Sequence, residues 1–290
     1  AYEIYMGDWS SVVCSSDLLI ASLLPAGAMA ALGYAQTLYN LPVSLFGMSV
    51  SAAELPEMAG QGDQSEARDS YLRERLARGL RQIAFFVIPT IVGFVALGGV
   101  IVAAIYETGR FSRDDSNYVW AILACASIGL LASTLGRLYS STFYALHDTR
   151  TPMRFAVLRV GTNIALGIVL ALRGPGLVGL EARWGAAGLT LASSLCAWLE
   201  FALLRRALVQ RIGVPPRERG YLPRLALGAG VAALVGSGIV RALGLAFPLV
   251  TATATVSAFA LTYFLVARSL GVPEAHDAWR RVMRSVGKDR

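Results

Sequence analysis

Arginine and hydroxyl side chains recur inside one apolar stretch of this chain, where they could hold an anionic group. Arg137 lies about nine residues, roughly 14 Å along a helix, from the charged end of that stretch, so its guanidinium cannot easily reach water. Ser133, Ser140, Ser141 and Tyr144 recur beside it at helical spacing. We predict that this polar stripe faces a cavity and binds a group such as a phosphate. The alternative is a buried structural ion pair.

Three further polar side chains in apolar stretches have structural interpretations. Arg159 is close enough to a charged end to reach water, so we expect it to anchor its helix. Asn163, one turn later, is expected to form an interhelical hydrogen bond, and a contact with a transported molecule is the alternative. Glu200 precedes Arg205 and Arg206, which predicts a local ion pair. A carboxylate that couples a cation or proton is the alternative for Glu200.

Other kinds of chemistry have no pattern in the sequence. The chain has no glycine-rich loop of the nucleotide-hydrolysing type and no cluster of His, Cys or carboxylates. Its cysteines, Cys14, Cys125 and Cys196, lack the spacing of a disulfide framework or zinc site. We therefore expect no enzymatic activity, no cofactor and no metal.

The elements that position these residues are predicted to be membrane-spanning helices. Of 290 residues, 55% are hydrophobic and 16% charged, and the mean hydropathy is +0.55. A spanning helix needs about 20 apolar residues. Seven stretches meet this requirement and 18–24 resembles the end of an eighth, which predicts an all-α polytopic membrane helix bundle. The seven are 28–53, 83–106, 118–146, 152–172, 185–204, 222–243 and 246–267.

Basic residues are concentrated in every other segment that connects these spans. The net charge is +7, and 19 of the 26 Lys and Arg residues fall in 68–81, 150–154, 205–224 and 268–290, whereas the intervening loops hold five. Because basic loops resist translocation, the rich set and the C-terminus are predicted to be cytoplasmic. This placement favours a membrane protein over a nucleic-acid-binding protein.

One apolar stretch is interrupted by helix breakers. The segment "LYNLPVSLFGMSVSAAELPEMA" contains Pro42, Gly47 and Pro56. Broken spans of this kind are typical of transporters, because freed backbone groups must be satisfied by neighbours or a cavity. We predict a helix break with a gating role, and a kinked structural helix is the alternative.

Two segments have amphipathic patterns. In 61–82, Tyr71, Leu72, Leu76 and Leu80 share one helical face, which predicts an interfacial helix leading into the next span; a charged, solvated helix face is the alternative. The basic tail from 273 repeats the pattern and is expected to dock on the membrane surface, with apolar residues Ala275, Trp279, Val282, Met283 and Val286.

The first residues do not fit a membrane helix. Asp and Ser interrupt every apolar run of 1–17, and "VCSSDL" resembles a translated sequencing adapter. We expect 1–17 to be a non-native or disordered leader. The alternative is a genuine polar segment.

Three segments together resemble the MurJ (MviN) family of lipid II flippases, within the MOP superfamily of exporters. They are "LYNLPVSLFGMSVSAAELPEMA" (38–59), "FYALHDTRTPMRFA" (143–156) and "GAAGLTLASSL" (185–195). The resemblance covers about residues 18–270 of this chain. It implies a C-terminal lobe over 18–205, two additional C-terminal helices over 206–270 and a basic cytoplasmic tail over 271–290.

The resemblance implies a function as well. The family flips undecaprenyl-pyrophosphate-linked peptidoglycan precursor across the bacterial cytoplasmic membrane by alternating access between two lobes, and this chain would be a truncated half. The implied partners are the lipid-linked precursor, membrane lipids and an N-terminal lobe. Arg137 matches a position that is also basic in relatives, whereas Thr37 stands where several carry arginine. The alternatives are a polysaccharide-lipid or multidrug exporter and a non-transporting membrane scaffold.

Overall fold

The protein is described here by a computed structural model, which covers residues 16–48, 65–109, 111–216, 220–243, 248–277 and 280. These residues form helices and turns without a β-strand. The α-helices are α1 (16–21), α2 (Ala28–Pro42), α3 (Ser65–Tyr106), α4 (Arg113–Ser127), α5 (Leu130–Ala145), α6 (Arg150–Leu172), α7 (Gly174–Val178), α8 (Gly185–Ile212), α9 (Tyr221–Leu243), α10 (Pro248–Ser269) and α11 (273–277).

The predicted membrane helix bundle is confirmed. Within the described residues, five helices are long and apolar enough to cross a membrane, and α4 with α5 makes a sixth if the bent pair counts as one span. The predicted span 28–53 lies partly outside the described residues. Cys14, most of the leader 1–17 and most of the basic tail lie outside them. Asp17 and Ser16 of the leader belong to α1.

The predicted span 118–146 is two helices rather than one. The axes of α4 and α5 are bent by 40° relative to each other at Ile128 and Gly129. The hydroxyls of Ser127, Ser133 and Thr134 donate to carbonyls of their own helix on both sides of this break. Such hydroxyls compete with the backbone bonds and favour bending.

The α-helical geometry of α2 ends at Pro42. A π-helix over Val43–Met48 follows, and it contains Gly47. Because proline has no N–H, the regular α-helical ladder cannot continue through this position. The third predicted breaker, Pro56, lies outside the described residues.

The amphipathic segment before the second span is not a separate interfacial helix. It is the first part of α3, which runs without interruption for 42 residues. Leu72 and Leu76 are fully buried and share a core cluster with Leu204 and Leu208 of α8. Their apolar face therefore packs inside the bundle instead of lying on the membrane surface, and that prediction is wrong for these residues.

Helices α9 and α10 pack beside α3 through a proline-dependent contact. Pro89 lies inside α3 and cannot bond to the carbonyl of Phe85, four residues earlier. The hydroxyl of Tyr263 on α10 donates to that carbonyl at 2.6 Å. At the same end of the pair, Tyr221 donates to Glu274 at 2.8 Å. The bond to Phe85 satisfies a carbonyl that would otherwise be costly inside a membrane.

Small residues bring α6 and α8 into backbone contact. A Cβ atom at Gly185 would lie 2.3 Å from the carbonyl oxygen of Ala171, and one at Gly188 would lie 2.5 Å from that of Leu170. Close approach through small side chains is the usual way in which membrane helices pack. This contact fixes the faces of α6 and α8 that carry Arg159, Asn163 and Glu200.

Candidate headgroup-binding site

Arg137 lies in the middle of α5 and is half-buried. Among the described residues, no side chain or carbonyl accepts a hydrogen bond from its guanidinium, and no carboxylate pairs with it. The buried ion pair that sequence analysis left open for Arg137 is therefore not formed within the described part of the chain. Its positive charge, like that of Arg159, is close enough to act on the hydroxyl of Tyr39 on α2.

Tyr39 and Ser133 join α2 to α5 beside this arginine. Their hydroxyl oxygens are 2.9 Å apart. Because the Ser133 hydroxyl donates to the carbonyl of Leu130 at 3.1 Å, Tyr39 is the donor between them. Sequence analysis missed Tyr39, although its position three residues before Pro42 in a broken span was a usable signal.

The other members of the predicted stripe have different surroundings. Ser141 is buried, and its hydroxyl lies 3.0 Å from the carbonyl oxygens of Arg137 and Leu138 on its own helix. Ser140 and Tyr144 are half-buried, and Tyr144 lies near the charge of Glu200. The structure therefore places Ser133 and Arg137 together with Tyr39, whereas the Ser141 hydroxyl is used within α5.

Glu200 pairs with Arg159 and not with the neighbouring arginines of its own helix. The Arg159 Nη1 and Glu200 Oε2 atoms are 2.7 Å apart, and the two side chains are 18% and 14% exposed. Arg205 and Arg206 are exposed. Five or six residues of α-helix rotate them away from the α6-facing side of α8. The predicted local pair at Glu200 and the predicted anchoring role of Arg159 are therefore wrong.

Asn163 does make an interhelical hydrogen bond, to a residue that sequence analysis assigned to the leader. Its Nδ2 atom donates to Asp17 Oδ1 on α1 at 2.8 Å. Ser193 of α8 and the charge of Arg159 also lie beside the Asp17 carboxylate. A cavity of about 170 Å³ opens next to Asp17, and Thr37 of α2 contributes to its lining.

The segment "HDTRTP" forms a polar connection between helices at one end of the bundle. Asp148 accepts hydrogen bonds from the backbone N–H groups of Arg150 and Thr151, both at 3.1 Å, and so caps the first turn of α6. Its other oxygen is 2.8 Å from Arg211 at the end of α8. Partial burial alone would raise the pKa of Asp148, but the bonds from Thr151 and the charge of Arg211 hold it below its usual range.

Aromatic rings concentrate at the opposite end of the bundle, around the start of α4. Tyr34, Tyr106 and Phe111 are in mutual ring contact, with centroids 4.8 to 6.1 Å apart. The guanidinium of Arg183 lies over the rings of Tyr118 and Trp184. Tyr and Trp are enriched where membrane meets water, so this cluster is the expected structure of a membrane-interface end.

Comparison with known proteins decides the family. Residues 10–271 match the sequence profile of the family described as Lipid II flippase MurJ. This chain belongs to the MurJ family. A probable lipid II flippase MurJ of Rhizobium meliloti (strain 1021) is 32% identical over 260 residues, which are 84% of this chain and 45% of that protein. One of Vibrio cholerae serotype O1 is 28% identical over 192 residues, covering 66% of this chain and 34% of the relative.

A solved structure shares the fold. It is a lipid II flippase MurJ in an inward closed conformation, with a TM-score of 0.71 and 22% identity, and the match covers 90% of this chain and 52% of that chain. The chain therefore spans about a third to a half of the length of the MurJ proteins described here. The resemblance that "LYNLPVSLFGMSVSAAELPEMA" and the other two segments indicated is confirmed.

Proposed function

We propose that this chain contributes to flipping lipid II, the undecaprenyl-pyrophosphate-linked peptidoglycan precursor, across the bacterial inner membrane. Its membership of the MurJ family supports the proposal, and its relatives are named for that cargo. In this proposal 18–205 acts as one lobe of an alternating-access transporter, 206–270 supplies two additional helices and 271–290 is a basic tail. The distribution of basic loops supports a cytoplasmic C-terminus.

The proposed cargo contact is supported by one observation. Arg137 is half-buried and has no partner among the described residues. An uncompensated guanidinium at membrane depth is costly, so a bound anion would relieve that cost. Guanidinium binds phosphate oxygens through two parallel hydrogen bonds, which suits a pyrophosphate. Ser133 and Tyr39 supply hydroxyls beside it, while Ser140 and Tyr144 extend the polar stripe in the proposal.

A role in gating is proposed for the broken helix that begins with α2. Tyr39 lies on this helix just before the change from α to π geometry at Pro42. A helix whose hydrogen-bond pattern is already interrupted can bend there at lower cost than a regular one. Bending at Pro42 and Gly47, with Pro56 beyond them, would move Tyr39 relative to Arg137.

The test is binding of undecaprenyl pyrophosphate to the chain in lipid nanodiscs, measured by native mass spectrometry. Hydrogen bonds to charged groups contribute about 1.5–3 kcal/mol, so we expect Arg137→Ala to weaken binding by about 10- to 100-fold. Arg137→Lys should retain part of the affinity, because the charge remains and the two-bond geometry is lost.

The matched control is Arg154→Ala, which removes the same charge from an exposed position on α6. It should leave binding unchanged, and uncharged undecaprenol should bind the parent and Arg137→Ala equally. Equal binding of undecaprenyl pyrophosphate to the parent and Arg137→Ala would contradict the headgroup role.

A further inference from the structure

The break between α4 and α5 leaves a backbone carbonyl without its usual helical partner. The amide of Gly129 donates to the carbonyl of Ala126, three residues earlier, at 3.0 Å. In a regular α-helix this amide would bond to Cys125, four residues earlier. The Cys125 carbonyl therefore needs another donor, because an unsatisfied group inside a membrane costs several kcal/mol.

Helix α8 supplies donors to this region at regular four-residue spacing. The Thr190 hydroxyl is 3.0 Å from the carbonyl oxygen of Ala187 on its own helix and 3.3 Å from that of Ile122 on α4, so it is shared between the two. The Ser194 hydroxyl is 2.8 Å from that of Cys125, and the Trp198 indole N–H donates to Ile128 at 2.9 Å. Residues four apart share one face of a helix. Thr190, Ser194 and Trp198 thus form a donor row that follows the carbonyls of α4 to the break.

Gly129 allows the donor row of α8 to come close enough to the break for these hydrogen bonds to form. A Cβ atom at position 129 would lie 2.6 Å from the Cα atom of Ser194 and 2.9 Å from its Cβ atom. The nearest of these contacts is to backbone, which cannot rotate away as a flexible side chain can. The missing side chain at Gly129 therefore permits the hydrogen bond between Ser194 and Cys125.

The direction of α5 decides where Arg137 lies. Ser133 and Arg137 follow the break by one and two turns, so they move with α5 whenever the angle at Gly129 changes. A bent helix with satisfied carbonyls is stable in hydrocarbon. If the donor row is lost, the Cys125 carbonyl needs a new partner. The Gly129 amide can be that partner only in a more regular helix, so losing the row favours a straighter helix.

We infer that Ser194, assisted by Thr190 and Trp198, is a positioning residue that holds the 40° break and thereby directs Arg137 toward the headgroup. The structural part of this inference stands on the contacts of α8 with α4. The functional part rests on the proposed binding of a pyrophosphate lipid by Arg137. Ser194 is not proposed to contact the headgroup; it acts by setting the direction of α5.

The structural test is a distance measurement by pulsed electron paramagnetic resonance in nanodiscs. Spin labels are placed at the exposed positions Asn117 and Thr149, in a background with all cysteines replaced by Ala. The helical arms from Asn117 to the break and from the break to Ala145, where α5 ends four residues before Thr149, are about 17 and 24 Å long at 1.5 Å per residue. Straightening these arms from the observed bend lengthens their end-to-end distance by about 2 Å. Ser194→Ala should give this shift and about a twofold broader distribution. An unchanged mean and width would overturn the inference.

The functional test measures undecaprenyl pyrophosphate binding in the same variants. Ser194→Ala should weaken binding at least about threefold, and Ser194→Cys, which keeps a weaker donor of similar size, should restore part of the affinity. Thr253→Val is the control, because the Thr253 hydroxyl bonds only within α10, and it should change neither. Normal binding by Ser194→Ala would also overturn the positioning role.

Two outcomes separate this inference from the proposed function. If Arg137→Ala binds normally while Ser194→Ala still straightens the helix, the headgroup role and with it the functional part fail, but the donor row remains. If Arg137→Ala loses binding and Ser194→Ala changes neither readout, the inference alone fails. Trp198→Phe, which retains one aromatic ring near Phe201 and loses the N–H donor, gives the same readouts if Ser194→Ala does not fold.

Discussion

Arg137 and Arg159 are two arginines at membrane depth on consecutive long helices, and they have opposite surroundings. Arg159 of α6 is 2.7 Å from Glu200 and largely buried. Arg137 of α5 is half-buried and has no partner among the described residues. The same residue type in a similar apolar stretch therefore has two different environments. The pair with Glu200 joins α6 to α8, whereas Arg137 is the contact that we propose for the cargo headgroup.

The largest effect on the free energy of unfolding should come from breaking the ion pair between Arg159 and Glu200. Glu200→Ala leaves Arg159 buried without its carboxylate, and removing one partner of a buried pair costs about 3 kcal/mol or more. We expect a corresponding loss in the free energy of unfolding, measured by denaturant titration in mixed micelles. The double variant Arg159→Met with Glu200→Leu should recover most of it, because apolar side chains can replace a buried pair. A loss no greater than that of Arg137→Gln would contradict the assignment.

A smaller effect is expected at the water-exposed pair of Asp148 and Arg211, where the two side chains are 21% and 45% exposed. Asp148→Asn should lower the free energy of unfolding by about 0.5–1 kcal/mol at pH 7, since the charge is lost while an oxygen remains to cap α6. The pKa of Asp148 is lowered in the folded chain. Its stabilisation is therefore complete above the unfolded value of about 3.9 and is lost as pH falls through the folded pKa.

Unfolding of the parent and Asp148→Asn is compared at pH 7, at pH 5 and below pH 4. The difference between them should be equal at the first two values and should shrink at the third. A difference that persists at low pH would mean that the charge of Asp148 does not contribute. The pair would then stabilise the turn through shape and neutral hydrogen bonds alone.

The smallest effect should come from Arg137. Arg137→Gln should lower the free energy of unfolding by no more than about 0.5 kcal/mol, because no ion pair among the described residues is broken. It should nevertheless weaken binding of undecaprenyl pyrophosphate. Loss of stability comparable to that of Glu200→Ala would show instead that Arg137 is a structural residue.

Hydropathy and spacing predicted the membrane helices because each span must satisfy its own backbone within about 20 residues. They also placed Ser133 and Arg137 on one helix face, since that relation is local. The three segments that resembled MurJ proteins were enough to indicate the family. None of these predictions depends on which helices become neighbours.

The partners of the polar residues depended on tertiary structure. Glu200 was expected to pair with Arg205 or Arg206, yet it meets Arg159, 41 residues away in sequence. Leu72 and Leu76 were expected at the membrane surface, yet α8 covers them. The break at Gly129 could not be predicted either, because the donors that stabilise it come from α8. Helical periodicity determines which residues share a face, and only the packing of distant helices decides what that face contacts.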